Sequence, residues 1–303
     1  MKAIRFHENG GAEVLVLEDA PRPAPGEGEV LVRVHAAGVN PVDSAIRRGS
    51  FGSATLPGTP GLDLAGVVEA VGPGVTAFAP GQMVFGNGRG CYAEYALASA
   101  AALALKPANV SFDEAGSVGV GARTAWGGLF EVGGLQAGQR LLVHGAAGGV
   151  GIYAVQLGKW KGAEVVGTAS AANFDLVRSL GADTVIDYNA TRFETMVEDA
   201  DMVFDTVGRE TQERSWQVLK PGGILVAITG RPSEEMAQQH RVRLGRVGPT
   251  SAPPDVMQRI AELLEKGLLR TVIRKVFPLS EAREAQILSE TGHGAGRIVL
   301  HVN

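Results

Sequence analysis

The run Leu141-Leu-Val-His-Gly-Ala-Ala-Gly-Gly-Val-Gly151 constrains this chain more than any other segment, because an apolar strand-like stretch ends in clustered glycines and opens directly onto a helix-like one. Small residues at such a turn let the backbone approach a phosphate without a Cβ clash. A helix beginning near Gly149 would direct unpaired N–H groups and a positive dipole end at the anion. The spacing departs from the common G-x-G-x-x-G pattern, since Ala147 stands between Gly145 and Gly148 where that pattern has glycine. Context compensates: the helical segment Gly149 to Trp160 leads to a second strand-like run, Ala163-Glu-Val-Val-Gly-Thr168, giving a β-α-β unit of about the 30 residues that a dinucleotide site needs. The plain alternative is a glycine-rich turn in an α/β core.

The same alternation continues on both sides of this unit. Arg140 to His144, Ala163 to Thr168, Asp183 to Asp187, Met202 to Asp205 and Gly223 to Thr229 read as strands, with helical segments at Gly149 to Trp160, Phe174 to Leu180 and Thr211 to Leu219. Only Asp187 to Asp201 has no clear pattern. Near-continuous apolar strands alternating with helices predict a doubly wound parallel sheet, covered on both faces, with ligands at the carboxyl ends of its strands. Arg231 to Pro254, polar and closing on Ser-Ala-Pro-Pro, reads as a long loop or lid. Asp255 then caps an amphipathic helix with Val256, Ile260, Leu263 and Leu264 on one face and Gly267 at its end.

The first part of the chain is different in kind. From Met1 to about Ala104 it consists of short β-like runs, including Val30 to Ala36, Gly66 to Gly72 and Gln82 to Gly86, separated by turn chemistry such as Ala24-Pro-Gly-Glu-Gly28. An irregular β-barrel-like domain is the economical inference. Ser111-Phe-Asp-Glu114 has capping-box spacing and predicts a helix start. The tail, Thr271 to Phe277, Ser280 to Thr291 and Gly296 to Val302, reads strand, helix, strand.

With 303 residues, two domains are the default. A net charge of −4 and the absence of any basic stripe argue against nucleic acid, since Arg241 to Arg246 is the densest basic stretch. Cys91 is the single cysteine, so neither an internal disulfide nor an all-cysteine zinc site can form. It reads as a small packing residue in a reducing, cytoplasmic setting. No uncharged apolar run approaches the ~20 residues of a bilayer span, so no membrane association is expected.

Several local motifs resemble the zinc-independent quinone oxidoreductase (zeta-crystallin-like) branch of the medium-chain dehydrogenase/reductase superfamily. They are Ala36-Ala-Gly-Val-Asn-Pro-Val-Asp43, Pro60-Gly-Leu-Asp-Leu-Ala-Gly-Val-Val-Glu-Ala-Val-Gly72, Ala146-Ala-Gly-Gly-Val-Gly151, Lys220-Pro-Gly-Gly223, Val276-Phe-Pro-Leu279 and Gly296-Arg-Ile-Val-Leu300. The resemblance spans essentially the whole chain. It implies a GroES-like catalytic domain built from residues 1–115 and a return segment 267–303, with a Rossmann NADP-binding domain at 116–266 inserted between them. The active site would then lie in the cleft between domains.

By the same resemblance, zinc relatives carry a cysteine where this chain has Asn40 and G-H-E where it has Gly61-Leu62-Asp63, so no zinc is expected. Without a Lewis acid the acceptor must already be electron-poor, as in a quinone or an α,β-unsaturated carbonyl. Asn40 and Asp43 are the implied catalytic pair, their plain alternative being a turn held by Asx side-chain bonds. Phe51 and Phe85 are implied to line the substrate pocket. Tyrosines that the family often carries near this point are replaced by Ala45 and Phe51, which leaves the proton donor open. His144 and His35 lie inside strands and read as satisfied core histidines.

The implied cofactor contacts are Thr124, the loop Ala146, Ala147, Gly148, Gly149, Val150 and Gly151, then Thr168, Ser170, Tyr188, Val207, Ile228 and Thr229. No carboxylate follows the second strand, where Gly167-Thr-Ala-Ser170 stands, and this favours NADP(H) over NAD(H). Phe174 occupies the family's usual basic position, with Arg178 and Arg192 the candidates to replace it. The expectation is an NADPH-dependent, metal-free oxidoreductase, homodimeric, acting on a small quinone or enone or enal. An enoyl or alkenal double-bond reductase and a non-catalytic NADPH-binding protein are the alternatives.

Overall fold

The computed structural model describes residues 1–52, 55–248 and 250–302. The chain begins with β1 (Lys2–Arg5), β2 (Val16–Asp19), β3 (Glu29–Val39), α1 (Pro41–Arg47), β4 (Asp63–Val71), β5 (Met83–Asn87), β6 (Tyr95–Ser99), β7 (Leu103–Leu105) and α2 (Phe112–Ala115). After α3 (Gly119–Trp126) come β8 (Arg140–His144), α4 (Gly151–Trp160), β9 (Glu164–Ala169), α5 (Phe174–Ser179), β10 (Thr184–Asp187), β11 (Ala200–Asp205), α6 (Arg209–Arg214), β12 (Leu219–Ala227), α7 (Glu234–His240) and β13 (Arg243–Arg246). The chain closes with α8 (Val256–Glu265), β14 (Ile273–Pro278), α9 (Ala282–Glu290) and β15 (Arg297–His301).

Two compact units result, one from residues 1–120 and 254–303 and one from 121–253. In the first, β15 returns antiparallel to β3, pairing Ile298 with Val39 and Leu300 with Ala37, and the sheet runs β14-β15-β3-β4-β5-β7 with β6 also on β3. Its core gathers Phe6, Val32, Leu64 and Tyr92 from the early strands with Phe277 and Leu300 from the late ones. The helix α8, expected with the insert, belongs to this unit. Its Gln258 Nε2 donates to the Leu103 carbonyl at 3.0 Å, and Asn109 Nδ2 donates to the Leu264 carbonyl at 3.0 Å.

In the second unit, among the described residues, six parallel strands lie in the order β10-β9-β8-β11-β12-β13. Renumbered from β8, this is the 3-2-1-4-5-6 order of the Rossmann fold, whose switch point falls between β8 and β11. The strands are apolar because helices cover both faces, and Leu142, Val166, Val203, Trp216 and Leu225 fill one core cluster. The doubly wound α/β reading therefore holds.

Two expectations need correction. The segment Arg231 to Pro254 is not a bare loop: Ser233 caps α7 by accepting the Met236 amide at 3.2 Å, and β13 extends the sheet beside β12. Leu244 is the only large apolar residue of this edge strand, so no alternation betrays it. Asp255 sits at the N-cap of α8 without a side-chain cap, because its Oδ2 accepts Arg259 Nε at 2.9 Å instead. The patternless stretch after Asp187 holds one short turn, Phe193–Thr195. Among the described residues no helix is long and apolar enough to cross a membrane.

Burial on α8 supplies a test of its place. Ile260 has no exposed surface, so Ile260→Ala should cost about 2–5 kcal/mol in urea unfolding. Glu262→Ala, on the solvent side, should stay within about 0.5 kcal/mol of the parent. Equal midpoints for the two variants would contradict the packing described.

Candidate functional site

In the second unit the predicted loop emerges from β8 at the switch point. Gly145 has φ +68°, and a Cβ there would sit 2.5 Å from Thr206 Oγ1. The Gly148 amide donates to the Gly145 carbonyl at 2.9 Å, closing a turn that delays α4 to Gly151 rather than Gly149. At Gly151 a Cβ would lie 2.1 Å from the Gly145 carbonyl, so only glycine fits, whereas at Gly148 the nearest atom is 3.1 Å away. The N-cap of α4 is Val150, and no side chain caps it. That is the situation in which an anion serves as the cap.

The other carboxyl ends of the sheet are tied to this loop. Thr206 Oγ1 donates to the His144 carbonyl at 2.7 Å, and Asp205 Oδ1 accepts the Val207 and Gly208 amides, both at 2.9 Å. Asp205 Oδ2 accepts Gln212 Nε2 at 2.8 Å. These bonds present Val207 to solvent, while Ile228 is half-buried and Thr229 exposed beyond β12. Ser170 is half-buried after β9 and accepts Asn173 Nδ2 at 3.0 Å, and Tyr188 is exposed after β10. Thr124 is half-buried on α3, and Ala146 and Ala147 are buried in the turn.

Thr168 departs from its expected role. It is buried, and its hydroxyl lies 3.1 Å from His144 Nδ1 and 3.4 Å from the Gly145 amide, so it is spent inside the loop rather than on a bound ribose. Of the two replacement cations, Arg192 pairs with Glu194, which Arg214 chiefly, with Arg192, holds down at about 2. Arg178 lies over the Phe174 ring and is 3.9 Å from Asp175.

The second group of predicted residues belongs to the first unit. Asn40 and Asp43 stand at the start of α1, and both are buried. Asp43 Oδ2 accepts the Asn40 amide and the Tyr92 hydroxyl, each at 2.9 Å, while Oδ1 has no hydrogen-bond partner among the described residues. Burial pushes the Asp43 carboxyl up to about 7, against the Asn40 amide, the Tyr92 hydroxyl and the Arg297 charge, with the Asp63 charge adding to the rise. The Asn40 side chain is spoken for at both ends: Nδ2 donates to Asp63 Oδ2 at 3.0 Å, and Oδ1 accepts Arg297 Nη2 at 2.7 Å.

Asp63 is the hub of this network. It also accepts Arg297 Nη2 at 3.0 Å, Asn87 Nδ2 at 3.0 Å and the Val120 amide at 2.6 Å, and Arg297 Nε donates to the Ser117 carbonyl at 2.8 Å. Burial pushes its carboxyl up, but four donors, one of them a guanidinium, hold it as the carboxylate. Below it, fully buried Arg47 binds Gln286 and Glu290 of α9. Phe51 is exposed after α1, whereas Phe85 has no exposed surface and its strand is paired on both sides, so the pocket expectation for Phe85 is not met. Cys91 is buried, and burial raises its thiol well above the usual range, as expected of a packing residue.

Arg297, Tyr92 and Gln286 escaped the sequence reading. The available signal was Asp63 itself, an acid inside an apolar strand, which requires a buried partner without saying where along the chain it lies.

Residues 26–108 match the family described as alcohol dehydrogenase GroES-like domain, and residues 180–300 match the one described as zinc-binding dehydrogenase. The chain is 34% identical over 320 residues to a quinone oxidoreductase of Mus musculus, covering 98% of this chain and 96% of the relative. It is 35% identical to a chloroplastic NADPH-dependent alkenal/one oxidoreductase of Arabidopsis thaliana, covering 99% and 79%. The solved quinone oxidoreductase of Coxiella burnetii superposes with a TM-score of 0.92 at 34% identity, covering 100% of this chain and 99% of that one.

Two outcomes follow from the buried network. Arg297→Met strands the Asp63 carboxylate and should cost about 3–5 kcal/mol in chemical denaturation, while pairing it with Asp63→Leu should recover much of that loss. A loss no smaller in the double variant would contradict the ion-pair account. Because the Asp43 carboxyl rises from 3.8 to about 7 on folding, its stabilising share is complete below 3.8 and lost as pH climbs through 7. The wild type should therefore lose about 1.4 kcal/mol per pH unit relative to Asp43→Asn between pH 5 and 6.5, levelling above pH 7.5. A difference that stays flat from pH 5 to 8 would show that Asp43 folds already ionised.

Proposed function

The chain belongs to the quinone oxidoreductase branch of the medium-chain dehydrogenase/reductase superfamily, and from that membership we propose an NADPH-dependent, metal-free reductase of quinones and related α,β-unsaturated carbonyls. The observation that carries the reading is the glycine turn at the switch point of the parallel sheet, where a Cβ would meet the Gly145 carbonyl at 3.1 Å from Gly148 and at 2.1 Å from Gly151. NADP(H) would lie across that turn, its pyrophosphate against the loop Ala146 to Gly151 and the start of α4, near Thr124, Val207, Ile228 and Thr229. Ser170, just past β9, stands where an acid would hold ribose hydroxyls, with Tyr188 just past β10, and the lack of a carboxylate at position 170 favours a 2′-phosphate. Arg178 is the cation better placed to meet that phosphate, since Arg192 is committed to Glu194.

Metal independence is supported by the donor set. Asn40, at the position of a zinc ligand in the relatives, gives both amide ends to Asp63 and Arg297, and a guanidinium in that shell opposes a dication. When bound, the nicotinamide supplies hydride. The protein then orients the acceptor and excludes water, and an acceptor that is already electron-poor needs no Lewis acid. Asn40 and Asp43 are positioning residues in this account, anchoring the start of α1 and with it the segment leading to Phe51. We place the protein in the cytoplasm as a homodimer, the lone buried Cys91 suiting a reducing compartment. The alkenal/one oxidoreductase of Arabidopsis thaliana, as similar as the quinone oxidoreductases, favours double-bond reduction as the second reading.

NADPH oxidation followed at 340 nm with a quinone, a 2-alkenal and a 2-enone should show turnover on at least one, unchanged after exhaustive chelation. Tight NADPH binding without turnover on all three would mark a binding protein instead. Gly148→Val, in protein shown by circular dichroism to be folded, should raise the NADPH Kd at least about 100-fold, because its side chain would occupy the phosphate's place. Retained affinity would remove the loop assignment.

A further inference from the structure

His144 ends β8 immediately before the glycine turn and has no exposed surface. The directions of the hydrogen bonds around it can be worked out from the number of protons available. Ser215 Oγ lies 2.7 Å from the Thr211 carbonyl, which can only accept, so the single hydroxyl proton is used there. What Ser215 turns towards His144 Nε2, 3.0 Å away, is a lone pair, and Nε2 must therefore carry the ring proton. In a neutral imidazole this makes Nδ1 the acceptor. The Thr168 hydroxyl, 3.1 Å from Nδ1, donates to it, leaving a Thr168 lone pair for the Gly145 amide at 3.4 Å. The Thr168 carbonyl meanwhile accepts the Ala146 amide at 3.0 Å. The bonds thus run in one direction from Gly145 through Thr168, His144 and Ser215 to the backbone of α6.

We propose that His144 is a positioning residue of the glycine turn: a neutral Nε2–H imidazole, oriented by Ser215, that fixes the Thr168 hydroxyl and through it the Gly145 amide at the entrance to the anion cradle. The consequence for binding rests on the proposed NADPH site. This role explains why Thr168, at a strand end facing the expected ribose, turns its hydroxyl inward. The neutral ring fits its surroundings. Burial lowers the His144 pKa from 6.5 to about 4, Arg214 works in the same direction, and Asp205 and Glu194 oppose. The Phe193 ring meets it edge-on at 4.5 Å and offers no polar partner.

The relay is tested first in the free, full-length protein. Histidine ¹⁵N spectra should show His144 as the Nε2–H tautomer with no titration between pH 5.5 and 8. An Nδ1–H tautomer, or a midpoint near 6.5, would overturn the proposal whether or not NADPH binds. Variants then separate positioning from space-filling. In His144→Asn the amide occupies the place of Nδ1 and can still accept from Thr168, whereas in His144→Gln it reaches only the place of Nε2. His144→Gln and Thr168→Val should each raise the NADPH Kd about tenfold, roughly the worth of one lost hydrogen bond, with the pair no worse than either alone. His144→Asn should rescue most of that loss. Equal affinities across the variants, with only the melting temperature lowered, would make His144 a space-filling core residue. Failure of the wild type to bind NADPH would count against the proposed function, and the tautomer would still decide the relay.

Discussion

A buried ion pair between Asp63 and Arg297 holds together a unit made from both ends of the chain. The partners lie 234 residues apart, on β4 and β15, and neither reaches water. Charges removed from solvent are tolerated only when their remaining donors and acceptors are met. Here Asn40, Asn87, Ser117 and the Val120 amide meet them. The pairing of β15 with β3 and the entry into α1 at Asn40 are therefore parts of one arrangement. The same arrangement gives the polar residue at position 40 an internal task, bonding Asp63 through one amide end and Arg297 through the other.

The second unit uses a different economy. Its sheet is apolar, and polar groups gather at the carboxyl ends of β8, β9 and β11, where Asp205, Thr206 and Thr168 bind backbone groups of the neighbouring turns and His144 meets the Thr168 hydroxyl. A turn that wraps a phosphate, as we propose for this one, cannot be stabilised by bulky side chains, so its shape has to be enforced from behind. Gly151 permits the close approach, and the Thr206 and Thr168 hydroxyls enforce the shape. Binding groups held in advance lose less conformational freedom when the ligand arrives.

Much of this could be read from local pattern. Arg140 to His144 is a strand over the predicted residues because an apolar run beside a glycine turn has few other uses, and the Ser111–Glu114 box forms with both bonds in place. The pattern failed where tertiary contacts overrode local chemistry. The edge strand β13 is stabilised by pairing with β12, not by an apolar face of its own. The carboxylate of Asp255 found Arg259 rather than the helix amides. Thr168 was placed correctly at a strand end, but its hydroxyl direction depends on Ser215, 47 residues further along, which no motif connects to it.

The proposed reaction is direct hydride delivery from the nicotinamide to an electron-poor acceptor without a metal. It is tested most directly by mass spectrometry of the reduced product formed from a 2-enone and C4-deuterated NADPH by chelator-treated protein. With the (4R)- and (4S)-deuterated isomers run in parallel, one deuteron at the β-carbon from one isomer and none from the other is the predicted result. A product unlabelled with both isomers, or a reaction that appears only when zinc is restored, would contradict it.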